Sequence, residues 1–182
     1  MKEIRIHGRG GQGSLVLAQF LAIAAFNDGK YSQAFPFLGG GGDRKGKPIQ
    51  AFCRLDDKPI RLRSKVHYPD YVIVQDATIL GEVDIASGLK ENGVILINTE
   101  KELPEIEVGE NVKVVVVPAT RIAQEILGRP IGNTALLGAF AAVTGELTMK
   151  AVTDAVKERL GGQLGEKNSL VVQRIYEMLR EK

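Results

Sequence analysis

Glu3-Ile4-Arg5-Ile6-His7-Gly8-Arg9-Gly10-Gly11-Gln12-Gly13-Ser14 is the stretch from which the rest of the chain is read. Ile4 and Ile6 alternate with polar residues, so 3–7 reads as a strand with one apolar face. Gly8, Gly10 and Gly13 satisfy G-x-G-x-x-G, a turn that leads a strand into a helix. Ser14 is placed to cap that helix, which runs to about Asn27 before Asp28-Gly29 ends it. Leu15, Leu17, Phe20, Leu21, Ala24 and Ala25 give the helix a broad apolar surface. Residues 30–35 read as a second strand. Strand, glycine turn, helix, strand is the opening of an α/β domain.

Further along, residues 49–55 and 59–63 read as a hairpin around Asp56-Asp57-Lys58-Pro59. Residues 71–75 read as a short apolar strand, and 93–97 and 112–117 as two more that are apolar on both faces, as in a sheet covered by helices on each side. Helices are expected at 119–127, 134–143, 148–160 and 168–180. The expected architecture is one α/β domain over residues 1–182. It is a three-layer α/β/α sandwich with a largely parallel or mixed sheet and a helical C-terminal part.

Composition narrows the chemistry. Hydrophobic residues make up 44% and charged residues 25%, enough apolar content for a real core. No apolar run approaches the ~20 residues that cross a bilayer, and the N-terminus lacks an apolar signal core. The expectation is a cytoplasmic chain with no membrane partner. A single cysteine, Cys53, excludes an internal disulfide and a self-held iron–sulfur cluster, which takes about four thiolates. In its strand-like setting Cys53 reads as a small buried hydrophobe. With two histidines, His7 and His67, no zinc site is expected.

Net charge is +2, unevenly spread. Residues 40–65 hold eight Lys or Arg against three Asp, which leaves the rest of the chain with a negative balance. Such a local basic field draws an anion or an acidic protein surface. Nucleic acid is not expected, because aromatics are only 5% and none is interleaved with the basic residues for stacking.

Three places are candidates for chemistry. The Gly8–Gly13 turn reads either as a tight packed connection or as a backbone anion site with charge from Arg9. The loop Gly39-Gly40-Gly41-Gly42-Asp43-Arg44-Lys45-Gly46-Lys47 joins glycine freedom to positive charge, suited to a partner or a phosphorylated ligand. Gln75-Asp76 ends a buried strand, where α/β sheets gather ligands, although a turn or cap role for Asp76 is the simpler reading. Asn133-Thr134 reads as a helix cap pair. A dinucleotide-binding oxidoreductase remains the alternative. It needs an acid at the end of the second strand, about 20 residues past the glycines, and Asp28 instead sits in a turn before that strand. No Walker lysine motif, no G-x-S-x-G and no self-sufficient catalytic set occurs.

Several ordered segments resemble the gamma subunits of pyruvate and 2-ketoisovalerate ferredoxin oxidoreductases. They are residues 4–13, Asp28 to Pro36, Ala51 to Ser64, Pro69 to Asp76, and Asn133-Thr134-Ala135-Leu136-Leu137-Gly138. The likeness spans roughly residues 3–145. The loop after Pro36 departs from the family, which commonly carries an acidic-arginine-arginine-glycine turn leading to Ala-Pro.

The resemblance implies a subunit of an enzyme that oxidatively decarboxylates a 2-oxoacid, pyruvate first, to acyl-coenzyme A and carbon dioxide while reducing ferredoxin. It implies alpha, beta and delta partner subunits. Thiamine diphosphate, magnesium and 4Fe-4S clusters are expected on those partners, none bound by this chain alone. The isolated chain is not expected to be active. Gly8, Arg9, Gly10, Gly11, Gln12, Gly13, Arg44, Lys45 and Lys47 become the candidates for coenzyme A, anion or subunit contacts.

Overall fold

The computed structural model describes residues 1–37 and 45–181. The strands are β1 (Lys2–Arg9), β2 (Tyr31–Pro36), β3 (Pro48–Asp56), β4 (Tyr71–Val74), β5 (Val94–Asn98) and β6 (Lys113–Val117). The helices are α1 (Ser14–Asn27), α2 (Ala119–Leu127), α3 (Asn133–Thr144), α4 (Met149–Leu160) and α5 (Gly162–Arg180). A 3-10 turn covers Ala77–Gly81.

The strands form one sheet in the order β2-β3-β1-β4-β5-β6. β1, β4, β5 and β6 run parallel, and β3 lies antiparallel between β1 and β2. The α/β class and the mixed sheet agree with the sequence. The hairpin does not. β3 pairs with β1 on one side and β2 on the other, so both its edges are already taken. Residues 59–63 join no strand.

Helices α1 to α5 pack into one core on one face of the sheet. Strand residues Ile4, Ile6, Cys53, Ile73, Leu96 and Val117 meet residues from every helix there. α3 is its axis, apolar nearly all round and buried from Asn133 through Ala141. Gly138 lets α5 cross close against it, because a Cβ there would sit 2.7 Å from the Val172 carbonyl oxygen. Phe140 of α3 meets the Tyr71 ring edge-on, centroids 5.3 Å apart. α5 begins at Gly162 rather than near Asn168, and Gly165 inside it permits backbone approach to Lys157.

The opposite face is covered without α-helices among the described residues. Val72, Val74, Ile95 and Ile97 pack under the 3-10 turn and the irregular stretches carrying Ile85, Leu89, Leu103 and Ile106. This second layer is what the sequence led one to expect as helical. β6 is an edge strand, with Val116 40% exposed, and not covered on both faces.

This face also buries charge. Arg5 Nε donates to His7 Nε2 at 3.0 Å, and its Nη2 reaches the carbonyls of Ile85 and Ser87. Burial and the Arg5 charge lower the His7 pKa to about 3, so the imidazole is neutral. Arg54 is fully buried and donates to Glu3, Gln33 and the Ser64 carbonyl. Cys53 is buried on the helical face, and burial pushes its thiol pKa up, so it packs as a small hydrophobe. Among the described residues, no helix is long and apolar enough to cross a membrane.

Candidate functional site

β1 delivers the glycine turn to the carboxyl edge of the sheet, where α1 begins. Gly13 is the N-cap residue of α1, with φ 79°, a left-handed conformation that glycine adopts without strain. Ser14 is therefore the first helical residue and does not cap. Its hydroxyl bonds the Gln75 side-chain oxygen beneath the turn. Gln75 also donates to Asn133 Oδ1 at 2.5 Å. Asn133 Nδ2 lies 3.3 Å from the Gln12 carbonyl oxygen. Asn133 is thus no cap either, since α3 has Gly132 as its N-cap residue. It ties α3 to a turn far away in sequence.

These side chains explain two of the glycines. A Cβ at Gly8 would lie 2.5 Å from Gln75 Oε1 and 2.6 Å from Ser14 Oγ. One at Gly13 would lie 2.8 Å from Asn133 Nδ2. The turn is a tight packed connection. That reading does not compete with ligand binding above it.

Above the turn opens a crevice of about 470 Å³. Gly11, Gln12, Gln75, Asn98, Thr120 and Asn133 supply its polar wall. Gln75 and Asn98 follow or end β4 and β5, so the crevice lies beyond the strand ends, where parallel sheets bind ligands. β1 connects outward to β2 while β4 lies on its other side, which makes this the sheet's switch point. Asn98 and Thr120 were not singled out from the sequence, although Asn98 ends its strand just as Gln75-Asp76 follow theirs. Asn98 Nδ2 donates to the Gln75 carbonyl and to Thr120 Oγ1.

Arg9 points elsewhere. Its guanidinium bonds Thr78 Oγ1 at 2.9 Å, the Gly46 carbonyl at 3.0 Å and the Glu82 carboxylate, and it is absent from the crevice wall. The Glu82 hydrogen bond raises the Arg9 pKa further above its usual value. Asp76 caps the 3-10 turn by accepting from the Thr78 amide at 2.9 Å, the simpler of its two readings. Burial works to raise the Asp76 pKa. The bonds from Thr78 and Gln12 and the Arg9 charge outweigh it, so the carboxyl stays below its usual range.

The glycine turn and the basic loop come together. Gly10 forms a bridge with Lys45. The Gly10 amide donates to the Lys47 carbonyl at 2.9 Å, and the Gly46 amide to the Gly10 carbonyl at 3.1 Å. Arg9 closes the junction through Gly46. Gly39 to Gly42, Asp43 and Arg44 lie outside the described residues.

The ribose acid of a dinucleotide site has another task. Asp28 accepts from the Thr148 amide at 2.7 Å and from its hydroxyl at 2.6 Å, which fixes the start of α4. It sits at the far end of α1, roughly 20 Å from the turn at 1.5 Å per residue. Among the described residues, no group of three or more His, Cys, Asp or Glu is placed to hold a metal ion.

With this geometry in hand, the likenesses to known proteins are specific. The model of the pyruvate ferredoxin/flavodoxin oxidoreductase family matches residues 3–178. Pyruvate synthase subunit PorC of Methanosarcina barkeri is 54% identical over 157 residues, which is 86% of this chain and 85% of that one. The common gamma subunit of the pyruvate/ketoisovalerate oxidoreductases of Thermococcus kodakarensis is 49% identical over 97% of this chain and 96% of its own. The crystal structure of pyruvate oxidoreductase subunit PORC of Thermotoga maritima matches with a TM-score of 0.82 and 39% identity, over 97% of this chain and 95% of that one.

Proposed function

The chain belongs to the pyruvate ferredoxin/flavodoxin oxidoreductase family, and on that premise we propose that it serves as the gamma subunit of a pyruvate:ferredoxin oxidoreductase and helps form that enzyme's coenzyme A site. The enzyme converts a 2-oxoacid, coenzyme A and oxidised ferredoxin to acyl-coenzyme A, carbon dioxide and reduced ferredoxin. Alpha, beta and delta subunits are its partners, and they carry the thiamine diphosphate, magnesium and 4Fe-4S clusters. Branched-chain 2-oxoacids are the second substrate class, because relatives are named for ketoisovalerate as well as pyruvate.

The observation that supports the coenzyme A role is the junction of Gly10 with Lys45–Lys47 beside the switch-point crevice. Coenzyme A carries a pyrophosphate and a 3′-phosphate at one end and an amide-rich arm at the other. The α1 N-terminus with Lys45 and Lys47 suits the phosphates, and Arg44, next to Lys45 in sequence, adds charge to the segment. The neutral amides and hydroxyls of Gln12, Asn98, Thr120 and Asn133 suit the arm, which offers both donors and acceptors. Arg9 acts by holding Gly46 against the turn, so it positions the basic loop.

Reconstitution tests the assignment. The partner subunits purified with and without this chain should differ in coenzyme A-dependent ferredoxin reduction, with activity restored when the chain is added back. Full activity of partners lacking it, or failure of the chain to join them, would overturn the reading.

A further inference from the structure

Residues 57–70 connect β3 to β4 across the helix-free face. Pro59-Ile60-Arg61-Leu62-Arg63-Ser64 has the alternation of a strand, and residues 59–63 lie in no helix, turn or strand, with a bend at Ser64. Yet no backbone amide or carbonyl from 59 to 63 makes a hydrogen bond with another described residue. Backbone whose donors and acceptors are left open can take up another strand as its partner.

The segment is nonetheless held in place. Arg54, itself fully buried, donates to the Ser64 carbonyl at 2.6 Å. The Lys65 ammonium lies 4.5 Å from the Phe37 ring centroid. Val66 is buried, and the Asp70 amide bonds the Glu3 carbonyl at 2.8 Å. A loop with no role in pairing needs none of these anchors to remain solvated. Ordering it beforehand lowers the cost of docking.

Its chemistry selects a partner. Lys58, Arg61 and Arg63 are exposed and form no ion pair with another described residue. No acidic residue occurs from Lys58 to Pro69. Paired as a strand, the segment would put Arg61 and Arg63 on one side and Ile60 and Leu62 on the other, and Leu62 is exposed. Cross-strand pairs of opposite charge stabilise such pairings, and like charges oppose them.

We infer that residues 59–64 are a docking strand, completed in the assembled enzyme by an extended, acidic edge of a partner subunit. The addition is a β-augmentation, in which main-chain hydrogen bonds give affinity and alternate side chains give selectivity. This rests on the subunit assignment above and adds where and how the subunit attaches.

Residue-resolved hydrogen exchange of the isolated chain and of the complex tests it. Amides of residues 60–64 should exchange freely in the isolated chain, and alternate ones should become protected in the complex. Arg61→Glu with Arg63→Glu should leave the melting temperature unchanged while weakening assembly by about tenfold or more. A chain that assembles with 60–64 still unprotected, or a charge-reversed variant that assembles normally, overturns the docking strand and leaves the subunit assignment standing. Protection by coenzyme A alone, or by self-association of the isolated chain, overturns it too. A chain that joins no partner overturns both.

Discussion

The two faces of the sheet are built on different principles. The helical face is apolar and self-sufficient: five helices close over Ile4, Ile6, Ile73 and Leu96, and Gly138 and Gly165 let the helices approach one another. The other face buries Arg5, His7 and Arg54, is covered by irregular chain, and holds a basic segment whose backbone bonds no described residue. The first face carries stability. The second is held by polar fixtures, Arg5 bonding the Ile85 and Ser87 carbonyls and Arg54 the Ser64 carbonyl. The crevice lies at the edge between them, drawing Asn133 and Thr120 from helices and Gln75 and Asn98 from the sheet.

Substitutions separate the faces. Phe140→Ala should be the most damaging, about 3–5 kcal/mol by chemical denaturation, because a fully buried ring leaves a cavity among packed helices. A loss under 1 kcal/mol would mean the helical core is far looser than described. Arg54→Met should cost about 2–3 kcal/mol, since it strands the Gln33 and Ser64 oxygens and leaves Glu3 without its cation. It should also release residues 60–64, seen as faster proteolysis there, an effect Phe140→Ala does not share at matched stability.

The polar face should also set the acid response. His7 titrates near 6.5 when unfolded and about 3 when folded, so the unfolded state takes up the proton first. Its contribution is fully present above pH 6.5 and is lost as pH falls toward 3, at about 1.4 kcal/mol per pH unit. His7→Gln keeps an acceptor for Arg5 and should remove this part of the slope. An unchanged slope would place the acid sensitivity elsewhere.

Much of this was legible in the sequence because it was local. Strand periodicity, the glycine turn and the buried setting of Cys53 follow from short windows. The misreadings involve partners distant along the chain. Residues 59–63 look like a hairpin arm, but β1 and β2 occupy both edges of β3. Asn133 looks like a cap, but its side chain reaches Gln12 and Gln75. The last helix was expected only from 168, yet α5 starts at Gly162 and needs Gly165 for its approach to α4. The crevice was half visible. Gln75-Asp76 pointed to the carboxyl edge, and the same logic applied to β5 would have found Asn98.

The central claim is that the turn–loop junction serves coenzyme A in the assembled enzyme. Steady-state kinetics of the whole complex carrying Arg44→Ala and Lys47→Ala test it most directly. The KM for coenzyme A should rise by about tenfold or more, from two lost charge-assisted phosphate contacts, with the KM for the 2-oxoacid nearly unchanged. Unaltered coenzyme A kinetics in an intact complex would contradict it.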